Sequence, residues 1–158
     1  MTYDRQALYR ELERDEGFRE KTYRCTAGKL SIGIGRNLDD VGIRPAETAK
    51  LGITKASVIK NGITLDQAYG LLESDVADCE RALDRSFPWW RKMTDNRQRV
   101  ILNMCFNMGI RVLSQFKNTL RAMETGQYEV AAAGMGKSLW AKQVGRRATR
   151  LQAMMRTG

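Results

Sequence analysis

Histidine is absent from this 158-residue chain, and its absence removes several kinds of catalytic chemistry. Without imidazole the chain has neither a histidine base nor a histidine metal ligand, which argues against zinc peptidases and zinc amidases, and we expect no metal site. A nucleophilic cysteine–histidine pair is impossible for the same reason. Carboxylates, thiols and hydroxyls therefore remain as the candidates for any catalytic role.

Cysteine is scarce, and its spacing excludes a CxxC motif. The three cysteines lie at positions 25, 79 and 105, and an odd number in a chain with no recognisable signal peptide predicts free thiols. Cys79 and Cys105 fall on apolar helical faces, which favours a place in the core. Cys25 lies on no such face and is therefore a candidate for function.

Long apolar runs are also missing, so the sequence offers no segment of the roughly 18 residues that a membrane span needs. The N-terminal residues lack the apolar centre of a signal peptide, which favours a cytoplasmic protein unless another factor exports it. The formal net charge is +9, which indicates an anionic partner. Nucleic acid, anionic lipid and anionic cell-wall polymer all satisfy this condition.

The N-terminal third predicts one helix followed by a β-hairpin. Leu8, Leu12 and Glu16 share one face of a helix over residues 4–16, and Gly17 ends it. Apolar and small residues then alternate over 30–35, which predicts a strand of a small antiparallel hairpin.

The rest of the chain predicts helices. The polar stretch 37–63 predicts a loop with one or two short helices, and Thr64 begins a capping box for a helix that ends near Phe87. Helical patterns follow, with a stop at Gly109 and an interruption near Gly145.

Glu16 is the first candidate for chemistry. The negative end of the helix dipole and partial burial both favour the neutral, proton-bearing form of a carboxyl at this position. Such an acid can protonate a leaving oxygen in glycoside hydrolysis. The alternative from the residues alone is an exposed helix-end acid in the acidic run 11–16.

Four blocks in the same order carry a family resemblance: residues 15–35, 103–109, 116–121 and 131–140. Together they resemble the phage-type lysozymes, or endolysins, across almost the whole chain. The resemblance implies an α+β, mainly α fold with a small β-containing lobe and a helical lobe. It implies one lysozyme domain over 1–158, divided into a first helix (1–16) packing on the C-terminal lobe, a small lobe (17–63), a connecting helix (64–86) and a helical lobe (87–158).

The family pattern of Glu, then Asp or sometimes Cys, then Thr becomes Glu16, Cys25 and Ser31 in this chain. The resemblance implies that Glu16 is the general acid, that position 25 helps a water attack the sugar C1, and that Ser31 holds this water. Nearby cations at Lys21, Arg24 and Lys29 are expected to favour the Cys25 thiolate.

The resemblance also assigns supporting residues. Phe106, Asn107 and Thr119 match positions that line the sugar cleft, although Phe106 could equally be a core residue. Arg147 matches an arginine that reaches toward the catalytic Glu, and we expect Arg36 and Asp75 to form an ion pair.

The implied function is hydrolysis of the β-1,4 bond between N-acetylmuramic acid and N-acetylglucosamine of peptidoglycan during phage-driven host lysis. No cofactor, no nucleic acid and a monomer are expected, with the protein held in the host cytoplasm until another protein forms a pore. A lytic transglycosylase using Glu16 alone and a non-catalytic cationic wall-binding protein are the alternatives.

The basic segment 137–158 is expected to attract anionic peptidoglycan, or else to contact an anionic outer membrane.

Overall fold

The computed structural model describes residues 2–158, and helices make up most of them. The helices are α1 (Arg5–Glu16), α2 (Pro45–Leu51), α3 (Lys55–Asn61), α4 (Leu65–Ser86), α5 (Asp95–Leu113), α6 (Lys117–Glu124), α7 (Tyr128–Gly136), α8 (Leu139–Val144) and α9 (Arg146–Thr157), with a 3₁₀ segment at Pro88–Lys92. The strands are β1 (Arg19–Arg24), β2 (Leu30–Gly33) and β3 (Arg36–Asn37). The predicted α+β, mainly α class is confirmed.

The chain divides into two compact units. The sheet unit is Gln6–Val76, and the helical unit is Ala77–Gly158 together with the residues up to Arg5. The predicted lobe boundaries, and the packing of the first helix on the C-terminal lobe, stay predictions.

The sheet is antiparallel in the order β1-β2-β3, so the predicted hairpin is present and a short third strand extends it. In the register, Tyr23 pairs with Ser31, and Ser31 in turn pairs with Asn37. Ser31, Ile32 and Gly33 of β2 are all buried. Both faces of this strand are therefore covered, although its alternation predicted only one apolar face.

The capping box predicted at the start of α4 is present. The Thr64 backbone N–H donates to Gln67 Oε1 at 2.9 Å, and the Gln67 N–H donates to Thr64 Oγ1 at 3.1 Å. The first turn of α4 has no intrahelical partners for its N–H groups, so these two bonds stabilise its beginning. In the sheet unit the core beneath this helix contains the fully buried side chains of Leu8, Leu12 and Leu72.

Two glycines interrupt the helical unit as the sequence predicts. Gly109 has φ 82° and ψ 159°, so the backbone leaves the helical region there, although α5 resumes and continues to Leu113. Gly145 has φ 57° and separates α8 from α9. Both values lie in the left-handed region that glycine adopts without a side-chain clash.

None of the three cysteines, which all lie in the described part of the chain, forms a disulfide, as predicted. Cys105 is buried, which confirms its place in the core, whereas Cys79 is only partly buried. Within residues 2–158 no helix combines the length and the apolar character needed to cross a membrane.

Candidate active site

Glu16 is the last residue of α1, and a glycine on a neighbouring turn lies against its side chain. The carboxyl is partly buried. Gly35 follows β2 with φ +72°, and a Cβ built on it would lie 3.1 Å from Glu16 Oε1. Only a glycine combines this backbone conformation with so close an approach to the acid. The glycine at position 35 therefore leaves the space that the Glu16 carboxyl occupies.

The influences on the pKa of Tyr23, on β1, show which groups lie near Glu16. Burial raises the pKa of Tyr23, and the negative charge of Glu16 raises it further. The guanidinium of Arg19, 4.6 Å from the centre of the Tyr23 ring, lowers it, and the charge of Cys25 raises it. Because such charge effects weaken with distance and are screened by solvent, Glu16 and Cys25 both lie near Tyr23 within the sheet unit.

Cys25 begins the tight turn between β1 and β2. Its N–H donates to the Lys29 carbonyl at 2.9 Å, and the Gly28 N–H donates to the Cys25 carbonyl at 2.8 Å. This turn directs backbone N–H groups toward the sulfur. The amides of Lys29 and Ala27 are the two largest influences lowering the pKa of the Cys25 thiol, and the Ser31 hydroxyl adds to them. Hydrogen bonds to the anion favour the thiolate.

The pKa of Cys25 is lowered as the sequence predicts, but the cause differs from the expected one. The cations close in sequence are directed elsewhere. Lys21 Nζ donates to the Asn61 carbonyl at 2.9 Å, and Lys29 Nζ donates to Asp40 Oδ1 at 3.2 Å. Arg24 Nη1 donates to the Gly28 carbonyl at 3.0 Å. Backbone amides of the turn perform the role that these side chains were expected to have. Sequence periodicity does not show such amides, because they depend on the turn geometry.

Ser31 is buried beside Cys25. Only 3% of its surface is exposed, and its Oγ donates to the Lys29 carbonyl at 3.2 Å. The hydroxyl is also hydrogen-bonded to the Cys25 sulfur. The structure thus brings the predicted thiol and hydroxyl into contact.

The predicted Arg36–Asp75 pair is present, and a second acid that sequence reasoning missed joins it. Arg36 is 1% exposed; its Nε and Nη2 donate to Asp75 at 3.2 and 3.1 Å, and its Nη1 and Nη2 donate to Glu47 at 2.7 and 2.5 Å. It also donates to the carbonyls of Gly42 and Leu71. This bidentate pairing with two carboxylates links β3, α2 and α4.

The ionisation of this cluster follows from burial and pairing. Burial raises the pKa of Glu47, but hydrogen bonds from Arg36 and from the Arg44 backbone outweigh burial and bring the pKa to about 2. For Asp75, burial is the larger influence and raises its pKa despite the Arg36 charge. Burial lowers the pKa of Arg36, yet its two acidic partners leave it raised overall. The cluster is structural, and its Arg36–Glu47 pair is ionised.

In the helical unit, two of the predicted site residues, Asn107 and Arg147, form side-chain hydrogen bonds. Asn107 Oδ1 accepts a hydrogen bond from Trp140 Nε1 at 2.7 Å, and Phe106 is partly exposed. Arg147 is 7% exposed, and its Nε donates to Asn103 Oδ1 at 2.9 Å. Asn103 was not predicted as a partner, although it begins the 103–109 block. The approach of Arg147 to Glu16 stays a prediction.

Thr119 lines a hollow of about 550 Å³ in the helical unit, together with Phe116, Lys117 and Ser138. A Cβ on Gly134 would collide with Thr119 Oγ1, so a glycine keeps this wall open. Phe116 packs edge-to-face on Trp140 with ring centres 6.4 Å apart. The hollow offers aromatic, hydroxyl and cationic groups, a mixture that suits a sugar ligand.

Acidic and thiol groups of the described residues 2–158 form no cluster of three that could hold a metal ion.

Comparison with known proteins identifies the family. A family model described as Phage lysozyme matches residues 13–156. The pre-baseplate central spike protein Gp5 of Enterobacteria phage T4 is 33% identical over 155 residues, covering 93% of this chain, which spans only 27% of that relative. Probable T4-type lysozyme 1 of Dictyostelium discoideum is 28% identical over 156 residues, covering 93% of this chain and 92% of the relative.

An endolysin of Acyrthosiphon pisum secondary endosymbiont phage 1 is 27% identical over 140 residues, covering 86% of this chain and 80% of the relative. The match of the family model over most of the chain includes Glu16, Cys25 and Ser31. The chain therefore belongs to the phage lysozyme family of glycoside hydrolases.

Proposed function

We propose that this chain hydrolyses the β-1,4 bond between N-acetylmuramic acid and N-acetylglucosamine in bacterial peptidoglycan, with Glu16 as the general acid. The observation that carries this proposal is the grouping of a carboxyl, a thiol of lowered pKa and a hydroxyl in the sheet unit. Tyr23 responds to the charges of both Glu16 and Cys25, and Cys25 is hydrogen-bonded to Ser31. An acid near a group that activates water is the pair that inverting glycoside hydrolysis requires.

In the proposed reaction, Glu16 transfers its proton to the glycosidic oxygen as the bond to C1 breaks. The leaving sugar departs as a neutral alcohol, and positive charge develops at C1 and its ring oxygen. The absence of a side chain at Gly35 leaves room for the Glu16 carboxyl at the end of α1. An acid placed beside the bond in this way lowers the entropic part of the barrier.

Cys25 and Ser31 act on the water in this proposal. The thiolate accepts a proton from the water while its oxygen adds to C1 from the opposite face, which inverts the configuration. The Ser31 hydroxyl, held at the Lys29 carbonyl, orients that water. The thiol then loses its proton to solvent and Glu16 regains one, so protons balance over a cycle.

The proposed substrate contacts in the helical unit are Phe106, Asn107 and Thr119. The Trp140 indole fixes the Asn107 amide by donating to its oxygen, so the amide nitrogen is the group available to a sugar carbonyl. Thr119 presents a hydroxyl in a hollow wide enough for an N-acetylated sugar. We assign Arg147 a positioning role through Asn103.

Cys25 provides the sharpest test of this mechanism. Alkylating the thiol should abolish wall lysis, and Cys25→Asp should keep or raise activity, since a carboxylate serves the same role. Cys79→Ser is the matched control, because it removes the other partly buried thiol and should leave both results unchanged. Full lytic activity after alkylation of Cys25 would remove the thiol from the mechanism.

A lytic transglycosylase is the second candidate, because position 25 carries a thiol where the family usually has a carboxylate. That chemistry needs one acid and no activated water; the sugar's own hydroxyl closes an internal ring. The products distinguish the two: reducing ends support hydrolysis, and anhydro-muramic ends support the transglycosylase.

The biological setting we propose is host lysis, with release through a pore formed by another protein. The 33% identity to a central spike protein favours a second setting, in which the domain degrades the wall as part of a phage particle. Mass spectrometry of purified particles and of lysates separates them. Peptides of this chain in stoichiometric amounts in the particles would contradict the first setting.

The basic segment 137–158 fits attraction to peptidoglycan better than membrane insertion. Trp140, Leu151 and Met155 on its apolar side are buried in the helical unit, and only Leu139 is largely exposed, at 70%. Insertion would require these side chains to leave the core, at about 1.5–3 kcal/mol each. A peptide of these residues that permeabilised lipopolysaccharide vesicles, with an equal effect from the full chain, would reverse this preference.

A further inference from the structure

A second hollow, of about 240 Å³, lies in the helical unit next to the one that contains Thr119. Its lining includes Phe87, Trp89, Lys117, Leu120, Arg121 and Glu124. Lys117 lines both hollows, so they are neighbours on the same surface of this unit. None of the roles assigned above uses the second hollow.

Two aromatic rings form one wall of the second hollow. Phe87 and Trp89 flank Pro88 at the start of the 3₁₀ segment, and their ring centres lie 5.9 Å apart at an interplanar angle of 48°. Both rings are partly exposed, and Leu120, which also lines the hollow, is 5% exposed. Such a wall binds methyl groups and the C–H face of a sugar.

Two cations also line the second hollow. Lys117 and Arg121 are four residues apart on α6, so their side chains lie on the same helical face, and both are exposed. Glu124, three residues further, is the one acid in the lining. The lining therefore carries a net charge of +1, and its guanidinium matches the geometry of a carboxylate.

We propose that the second hollow binds the muramyl-peptide part of the substrate. The acetyl and lactyl methyl groups would lie on Phe87 and Trp89, and a peptide carboxylate would bind Lys117 and Arg121. This inference rests on the proposed function, since it takes peptidoglycan as the substrate. Continuity with the Thr119 hollow through Lys117 favours one extended ligand over two separate ones.

N-acetylmuramyl dipeptide is the probe that tests the proposal, titrated into the full chain while NMR follows the three indole N–H signals. The Trp90 and Trp140 indoles donate to Asp84 and Asn107, and Trp140 packs on Phe116 of the first hollow. We expect the Trp89 signal to move saturably. If Trp89 does not move, or if only Trp140 does, the proposal is overturned.

Matched variants test the charge argument. Arg121→Ala should raise the Kd of the probe at least about threefold, and Glu124→Gln should lower it. Arg10→Ala removes the same charge from an exposed position in the sheet unit and should leave the Kd unchanged. Neutral N-acetylglucosamine should bind more weakly than the dipeptide; equal binding, or equal effects of both arginine variants, would overturn the assignment.

The outcome of the binding experiments with N-acetylmuramyl dipeptide is independent of catalysis, because this probe has no bond between two sugars to hydrolyse. A chain that binds the probe at Trp89 but fails to cut walls overturns the proposed function alone. A chain that cuts walls without a Trp89 response overturns the second hollow alone. In the active chain, Arg121→Ala should raise KM for soluble glycan and leave kcat near its original value, since Arg121 does not act on the reacting atoms.

Discussion

At the scale of single residues, the central feature is a thiol whose chemistry is set by its turn. The amides of Lys29 and Ala27 lower the pKa of Cys25. The sequence identifies Glu16, Cys25 and Ser31 through their spacing, and the structure groups them in one unit. The sequence does not identify what stabilises the thiolate, because backbone amides carry no residue-specific signal.

The pH dependence of Cys25 follows from this stabilisation. Because the pKa of Cys25 is lowered, its thiolate should persist at pH values below the usual thiol pKa of about 8.5. Lytic activity and alkylation of the thiol should both be lost as pH falls through the lowered pKa. Alkylation rate against pH measures the inflection directly. Cys25→Asp should move the acid limb of kcat/KM to still lower pH, toward the carboxyl pKa of about 4. An alkylation inflection at or above the ordinary value would contradict the account.

Gly35 gives a second prediction at this scale. Gly35→Ala places a methyl 3.1 Å from Glu16 Oε1 at a positive φ, so it should lower kcat more than tenfold and cost about 1–2 kcal/mol of stability. Gly52→Ala is the matched control: it lies outside the Cys25 turn, and its φ is +70°, with nothing within 4 Å of the new methyl. It should lose similar stability in urea unfolding and keep its kcat. Equal losses of kcat in both variants would show that strain alone is responsible.

At the scale of elements, Arg36 joins β3, α2 and α4 through two acids. The sequence predicts the pair with Asp75 and misses Glu47, which lies in the polar stretch 37–63 without an apolar pattern. Glu47 also accepts from the Arg44 backbone N–H at 2.9 Å and so caps α2. Strand β3 was missed as well, since two residues are too short to show a period.

Removal of one partner from this cluster should be strongly destabilising. Glu47→Gln should lower the free energy of unfolding by about 3–5 kcal/mol, because it leaves buried Arg36 short of a countercharge. A double-mutant cycle with Arg36→Met, measured by urea unfolding, should show coupling above about 1 kcal/mol. Additive effects would contradict the contact.

Acid should unfold the sheet unit through the same cluster. The pKa of Glu47 falls from 4.5 to about 2 on folding, so its stabilisation is present above about 4.5 and lost as pH drops toward 2. Asp75 acts in the opposite direction, because its pKa is raised in the folded chain. Its protonated form favours the folded state, so this contribution is lost as pH rises through the unfolded and folded pKa values of Asp75. The urea midpoint of unfolding of the original chain should fall as pH is lowered from 4.5 toward 2. The midpoint of Glu47→Gln should change less over the same pH range.

At the scale of the whole molecule, the net charge of +9 should control encounter with an anionic wall. We expect the lysis rate to fall steeply as salt rises from about 0.01 to 0.15 M, because screening shortens the reach of these charges. Hydrolysis of a short neutral chitin oligosaccharide is the control and should change little. The fold class was predictable from helical periodicity and the four blocks, whereas the second hollow was not, since its walls come from two segments with no shared pattern.

The most direct test of the central claim is a digest of purified sacculi in water labelled with heavy oxygen, analysed by mass spectrometry. The account predicts that the original chain releases muramic reducing ends carrying one labelled oxygen, and that Glu16→Gln, correctly folded, releases none. Cleavage by Glu16→Gln, or unlabelled anhydro ends from the original chain, would contradict hydrolysis with Glu16 as the proton donor.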